Sequence, residues 1–146
     1  LITYIRMCKS KGIKFYISNN IKLAKTLKTN GVYISAYNKS LKINRHITNN
    51  FKVIGGAHSL KELKIKKLQG CSEILFSRLF RTSYKFKKGN LGLIKFNLFK
   101  LLVNERLTPL GGIKLANLNK LKSVNCVSFA ISNDIKRENR ISDNFY

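Results

Sequence analysis

Residues 107–121, LTPLGGIKLANLNKL, set Gly111 and Gly112 side by side between a short apolar run and a helix-like stretch. Glycine weakens regular structure, so an adjacent pair at a strand-to-helix corner signals an unusual backbone or something approaching closely. Amides freed by glycine and aimed by a helix start bind phosphate well. A tight turn is the other meaning of the same pair. Other stretches carry matching chemistry. FKVIGGA is followed by His58; SRLFRTSYKFKKGNLG carries Arg78, Arg81, Thr82, Lys85, Lys87 and Lys88; CVSFAIS ends at Ile131 and Ser132. Amides of Gly111, Gly112, Ile113, Ile131 and Ser132, the Thr82 hydroxyl and the Lys85 ammonium together form a donor set for a phosphorylated ligand. His58 taken alone reads as a helix N-terminal residue with no chemical duty, and the 78–89 loop taken alone as a solvated lid.

These residues need elements to bring them to one rim. Short β-rich runs occur at 13–18, 31–35, 51–57, 73–77, 107–112 and 126–132, and helical patterns lie between most of them. Ile21, Leu23, Ala24 and Leu27 recur at helical offsets, as do Leu60, Leu63, Ile65 and Leu68, and Leu115, Leu118 and Leu121. Gly70 fits a left-handed stop after the second of these. Strands alternating with helices predict an α/β fold with a parallel sheet, which is met by both doubly wound sheets and (β/α)8 barrels. Such folds keep their chemistry at the strand ends.

The first ten residues read as the last turns of a helix. A barrel needs about 200 residues or more, so six visible βα units plus two before them would complete eight. The expectation is a single domain over residues 1–146, a TIM-barrel type lacking its first two strands. Sheet edges left open in this way would suit a homo-oligomer or a preceding segment.

A net charge of +23 would attract nucleic acid or acidic lipid. The lysines, however, are spread over nearly every exposed-looking position instead of forming a tail or an aromatic-interleaved stripe, which reads as a solvated basic surface and argues against a nucleic-acid partner. No apolar run approaches a membrane span of about 18 residues and no secretory signal opens the chain, so a cytoplasmic protein is expected. Cys8, Cys71 and Cys126 are odd in number and far apart, and read as small apolar residues, not as a disulfide framework or zinc site.

The order YISNNIKLAKTLKTNGVYISAYN, VIGGAHSLKEL, EILFSRLFRTSYK, LTPLGGIKLANL and VSFAISNDI resembles the thiamine phosphate synthase and TenI family of (β/α)8 barrels over about residues 1–135. The resemblance implies a transferase joining hydroxymethylpyrimidine diphosphate to hydroxyethylthiazole phosphate with release of pyrophosphate. It implies that Thr82 and Lys85 bind phosphate groups, that Gly111, Gly112, Ile131 and Ser132 hold the thiazole phosphate, and that His58 matches the histidine after the fifth barrel strand. The departures matter equally. The two magnesium-binding aspartates of the family fall at Asn19 and Asn38, its glutamine falls at Ala36, and its Gly-Pro pair falls at Ser77 and Arg78. Magnesium favours carboxylate and phosphate oxygens, so Mg2+ held at Asn19 and Asn38 would depend on the substrate diphosphate for most of its ligands. Arg78 and Arg81 are the candidate replacement cations, since guanidinium binds phosphate bidentately. The TenI branch often lacks the metal ligands, but its tautomerase uses a histidine where this chain has Arg78. Three readings follow: a diverged synthase, a TenI-like or catalytically silent thiazole-phosphate binder, and a basic nucleic-acid-binding protein.

Overall fold

The computed structural model describes residues 1–48, 50–82 and 89–132. The chain runs α1 (Ile2–Ser10), β1 (Tyr16–Ser18), α2 (Ile21–Thr26), β2 (Gly31–Ile34), a 3-10 helix η1 (Leu41–His46), β3 (Lys52–Ala57), α3 (Leu60–Leu68), β4 (Glu73–Ser77), α4 (Gly92–Leu101), β5 (Arg106–Leu110) and a second 3-10 helix η2 (Leu115–Ser123). The sheet order is β1-β2-β3-β4-β5. β1 pairs β2 in parallel with Ile17 opposite Val32, and β2 pairs β3 in parallel with Ile34 opposite Gly55. Neighbours in space following neighbours in sequence are the arrangement of a (β/α) barrel. A doubly wound sheet would instead show a reversal of strand order, so the fold is the barrel type.

Contacts group the chain into two compact units, Leu1–Ile74 and Leu75–Tyr146. The first builds its core from the helix-facing side of its strands. Val32, Ile34, Val53, Gly55 and Ala57 are buried, as are Ala24 of α2 and Leu63 of α3. α3 begins under the Ser59 side chain, which accepts from the Glu62 amide at 3.3 Å, the arrangement expected of a serine N-cap. It ends where Gly70 turns left-handed at φ +72. Gly70 N donates to Lys67 O at 2.8 Å and Cys71 N to Lys66 O at 3.1 Å, the paired bonds of a Schellman end. Asn30 ties the entry of β1 to that of β2, its Oδ1 accepting from Phe15 N at 2.8 Å while its own N donates to Phe15 O.

The second unit packs Phe76 of β4 against α4, with its ring 5.6 Å from the Phe99 ring in an edge-on contact and 6.4 Å from that of Phe96. Leu79, Leu107, Ile113 and Val124 complete its interior.

Two expectations need correcting. Residues 126–132 do not form a strand: among the described residues they contribute one parallel bridge, Leu110 with Ala130. Cys126 N turns back to donate to Val124 O at 2.8 Å, which holds the start of this stretch out of a ladder, and Val127 is exposed. Residues 115–123 wind as a 3-10 helix and not an α-helix. Asn117 explains the tighter start, because its side chain accepts from Lys114 N while its amide donates back three residues to Lys114 O, a local alternative to i→i−4 bonding. The 3-10 turn at η1 had no helical period to announce it.

Candidate active site

The paired glycines take the conformation only glycine adopts freely. Gly111 lies at φ +94 and Gly112 at φ +70, immediately beyond β5. Their bare α-carbons are also packed. A Cβ on Gly111 would stand 3.1 to 3.2 Å from Cγ, Cα and Cβ of Arg78, and one on Gly112 would stand 2.6 Å from the carbonyl oxygens of Phe80 and Arg81. The exits of β4 and β5 are therefore laid directly against each other. Leu79 N donates to Leu110 O at 2.9 Å and Phe80 N to Gly111 O at 3.0 Å, while Asn117 Nδ2 donates to Gly112 O at 2.8 Å and fixes the far side of the turn.

The carbonyls of Gly111 and Gly112 are thus turned into protein, and among the described residues no protein acceptor takes the amides of Gly111, Gly112 or Ile113. Ala130 N donates to Pro109 O at 2.9 Å, and the parallel bridge to Leu110 makes Ile131 and Ser132 leave beside the two glycines. Arg78, half-buried, spans the corner from the β4 side and donates from Nη1 to Thr82 Oγ1 at 3.3 Å. Four of the residues singled out in the sequence, Arg78, Thr82, Gly111 and Gly112, therefore meet in one corner of the second unit, and the Ala130 bridge to Leu110 brings the chain there just before Ile131 and Ser132. Lys85 lies outside the described residues. The corner presents amide donors, a hydroxyl and a guanidinium, a set suited to an anion with several oxygens.

Asn19, Asn38 and His58 belong to the first unit. Asn19 sits at φ +53 at the tip of β1, a conformation asparagine tolerates better than most residues. Its Oδ1 accepts from Ser35 N at 3.0 Å, and its own N donates to Tyr33 O at 2.8 Å. Asn38 Oδ1 accepts from Ser40 N at 3.0 Å. Both side-chain oxygens at the candidate metal positions are therefore engaged by backbone amides, and both are uncharged. Among the described residues no group of three or more His, Cys, Asp or Glu side chains could hold a metal. This donor set does not fit a protein-held magnesium ion. His58 is exposed just before α3, where its backbone N–H donates to Glu62 Oε2 at 2.6 Å.

A residue that sequence reasoning passed over lies beneath Asn38. Lys66 of α3 is 0% exposed, and its Nζ donates to Ser35 O at 2.7 Å, Asn38 O at 2.8 Å and Gln69 Oε1 at 2.8 Å. Gln69, also 0% exposed, donates from Nε2 to Asn38 O at 2.9 Å and Ser40 O at 3.0 Å. Burial lowers the Lys66 pKa, against the opposing pull of Cys71 and Glu62. Burial likewise pushes the Cys71 thiol up to about 11, although Lys66 pulls it the other way. The clue in the sequence was a lysine and a glutamine three apart just before a helix-ending glycine, a pattern easily lost among the other lysines of the helix.

Comparison with known proteins places these observations in a family. Residues 2–135 match the family described as thiamine monophosphate synthase. The chain is 30% identical over 130 residues to a thiamine-phosphate synthase of Prochlorococcus marinus, covering 88% of this chain and 38% of that protein. It is 27% identical over 135 residues to the thiamine-phosphate synthase of Clostridioides difficile, covering 92% of this chain and 64% of that protein. The chain thus spans less than two thirds of the length of these two curated relatives. Among solved structures, thiamine phosphate pyrophosphorylase from Pyrococcus furiosus superposes with a TM-score of 0.73 at 15% identity, over 93% of this chain and 68% of that one. A structure titled "Native KDPGal structure" superposes with a TM-score of 0.66 at 14% identity, over 91% of this chain and 63% of that one; at such identities these two likenesses speak for the fold alone.

Proposed function

The chain belongs to the thiamine monophosphate synthase family, and on that premise we propose that it acts in thiamine biosynthesis as a diverged synthase. The reaction joins hydroxymethylpyrimidine diphosphate to hydroxyethylthiazole phosphate. The carbon–oxygen bond to the diphosphate breaks first and its electron pair leaves with pyrophosphate. The thiazole nitrogen then donates its lone pair to the remaining pyrimidine methylene cation, forming the carbon–nitrogen bond of thiamine phosphate. Charge develops on the departing oxygen, so donors fixed in advance and aimed at it lower the barrier.

The observation that carries this reading is the corner built by Gly111 and Gly112 with Arg78 and Thr82 beside it. Amides of Gly111, Gly112, Ile131 and Ser132 receive the thiazole phosphate. Thr82, Lys85 and Arg78 serve the phosphate groups of the reacting pair, with Arg78 supplying the cation that the absent aspartates no longer recruit. His58 is assigned to the family's histidine position. Family members generally act with Mg2+; here the uncharged Asn19 and Asn38, their side-chain oxygens already taken by backbone amides, do not fit it. A cytoplasmic setting accords with this pathway, and no described helix is long and apolar enough to cross a membrane.

A second reading is favoured by one observation. The amide oxygens of Asn19 and Asn38 already accept from Ser35 and Ser40, which suits a TenI-like protein that binds thiazole phosphate without turnover. The test is pyrophosphate release from the two substrates, with and without magnesium, in the wild type and Arg78→Ala, alongside calorimetric titration with thiazole phosphate. Turnover that falls sharply in Arg78→Ala and needs little added metal supports the synthase; full metal dependence with an indifferent Arg78 removes the cation role. Binding without turnover selects the second reading, and no binding defeats both.

A further inference from the structure

Lys66 is a cation enclosed by protein oxygens directly under the loop that carries Asn38. Its stem crosses β3 at Gly55, where an added Cβ would lie 2.8 Å from Lys66 Cδ and 3.1 Å from Cγ. An ammonium has three hydrogens to give, and here it meets three acceptors, Ser35 O, Asn38 O and Gln69 Oε1. Gln69 adds bonds to Asn38 O and Ser40 O. A buried charge is costly unless fully paired, and carbonyls left without it would be stranded in turn. The segment 35–40 therefore hangs from α3. The same segment presents Ser35 N to Asn19 Oδ1 and Ser40 N to Asn38 Oδ1, so the hold on its carbonyls reaches both asparagines.

We propose that Lys66, assisted by Gln69, is a positioning residue for the diphosphate-binding end of the first unit: a tethered cation inside residues 35–40 that holds Asn19 and Asn38 in one arrangement. This rests on the synthase reading, in which these asparagines stand where the diphosphate end of the pyrimidine substrate is held. Lys66 touches no substrate in this role; it acts through the loop.

The experiment uses Lys66→Met, which keeps the stem over Gly55 and removes the charge, and the milder Lys66→Gln, which keeps a donor should the first not fold. Native-state amide exchange is followed with steady-state kinetics. Exchange at Ser35 and Ser40 is expected to quicken by at least about tenfold in either folded variant, while Leu79 and Phe80, in the other unit, stay unchanged. KM for the pyrimidine diphosphate is expected to rise about tenfold, with KM for thiazole phosphate within about twofold of wild type. Unchanged exchange at Ser35 and Ser40, or an equal change in both KM values, overturns the proposal. If the wild type shows no turnover, the synthase reading fails separately and positioning is judged with inorganic pyrophosphate alone. A Kd weakened about tenfold by Lys66→Met supports it; an unchanged Kd, or no pyrophosphate binding by the wild type, overturns it.

Discussion

Substituting Gly112 by alanine tests the corner most directly, because two separate costs meet at that atom. An L-residue held in left-handed backbone costs roughly 1–2 kcal/mol, and Gly112 is at φ +70. The new methyl would also press on the carbonyl oxygens of Phe80 and Arg81 at 2.6 Å, and such overpacking costs roughly 1–3 kcal/mol more. The expected loss is therefore about 2–5 kcal/mol. Gly89 separates the two parts, since it lies at φ +84 with nothing within 4 Å of an added Cβ; Gly89→Ala is expected to lose only the backbone share of about 1–2 kcal/mol. Urea unfolding reads the difference as a larger fall in midpoint for Gly112→Ala at unchanged m. Because Phe80 and Arg81 must shift to admit the methyl, thiazole-phosphate affinity measured by calorimetry is expected to fall about tenfold in Gly112→Ala and to hold within about twofold in Gly89→Ala. Equal destabilisation by the two substitutions would mean that the exits of β4 and β5 do not touch at Gly112, and the anion corner would lose its foundation.

Other outcomes follow from the same contacts. Asn117→Ala removes the bonds to Gly112 O and from Lys114 N and is expected to destabilise by about 1–2 kcal/mol in chemical unfolding; a neutral result would detach η2 from the glycine turn. Cys71 is expected to stay protonated and resist iodoacetamide through pH 9, since its thiol is raised from 9.0 to about 11. A thiol pKa raised by folding stabilises the protein below about 9 and loses that contribution as pH climbs through about 11; native alkylation at pH 9 as fast as in urea would contradict it. Asn19→Asp with Asn38→Asp restores two carboxylates, the first at a left-handed position that aspartate tolerates. Pyrophosphate binding in this double variant is expected to gain magnesium dependence, visible as a titration with Mg2+ that is steeper than in wild type; identical titrations would separate these positions from metal binding.

How much of this could be read without coordinates varies from residue to residue. EILFS is a β-rich run bounded by a turn and a loop, and it forms β4 over the same residues, Glu73–Ser77. Gly70 was legible as a helix stop because no other residue adopts its backbone as cheaply. Gly111 and Gly112 were legible for the same reason, and the strand-end rule put Arg78 and Thr82 near them. The last predicted strand shrank to one bridge at Ala130, since a β-rich composition does not say whether a neighbour is in register to receive it. The engagement of Asn19 by Ser35 was invisible as well, being set by how the tips of β1 and β2 align. Lys66 was the largest omission: by composition it is one lysine among many on α3, and the position of Gly55 beneath its stem, on the strand just before, makes room for it indoors.

That enclosed lysine bears on how such a basic protein should be engineered. Anyone lowering its isoelectric point to improve handling would count lysines from the sequence and exchange them for neutral or acidic residues along the outer helices, α3 included. Position 66 would look as expendable as the other lysines of that helix, yet a carboxylate there would confront the backbone oxygens of Ser35 and Asn38, and the redesign would fail from within.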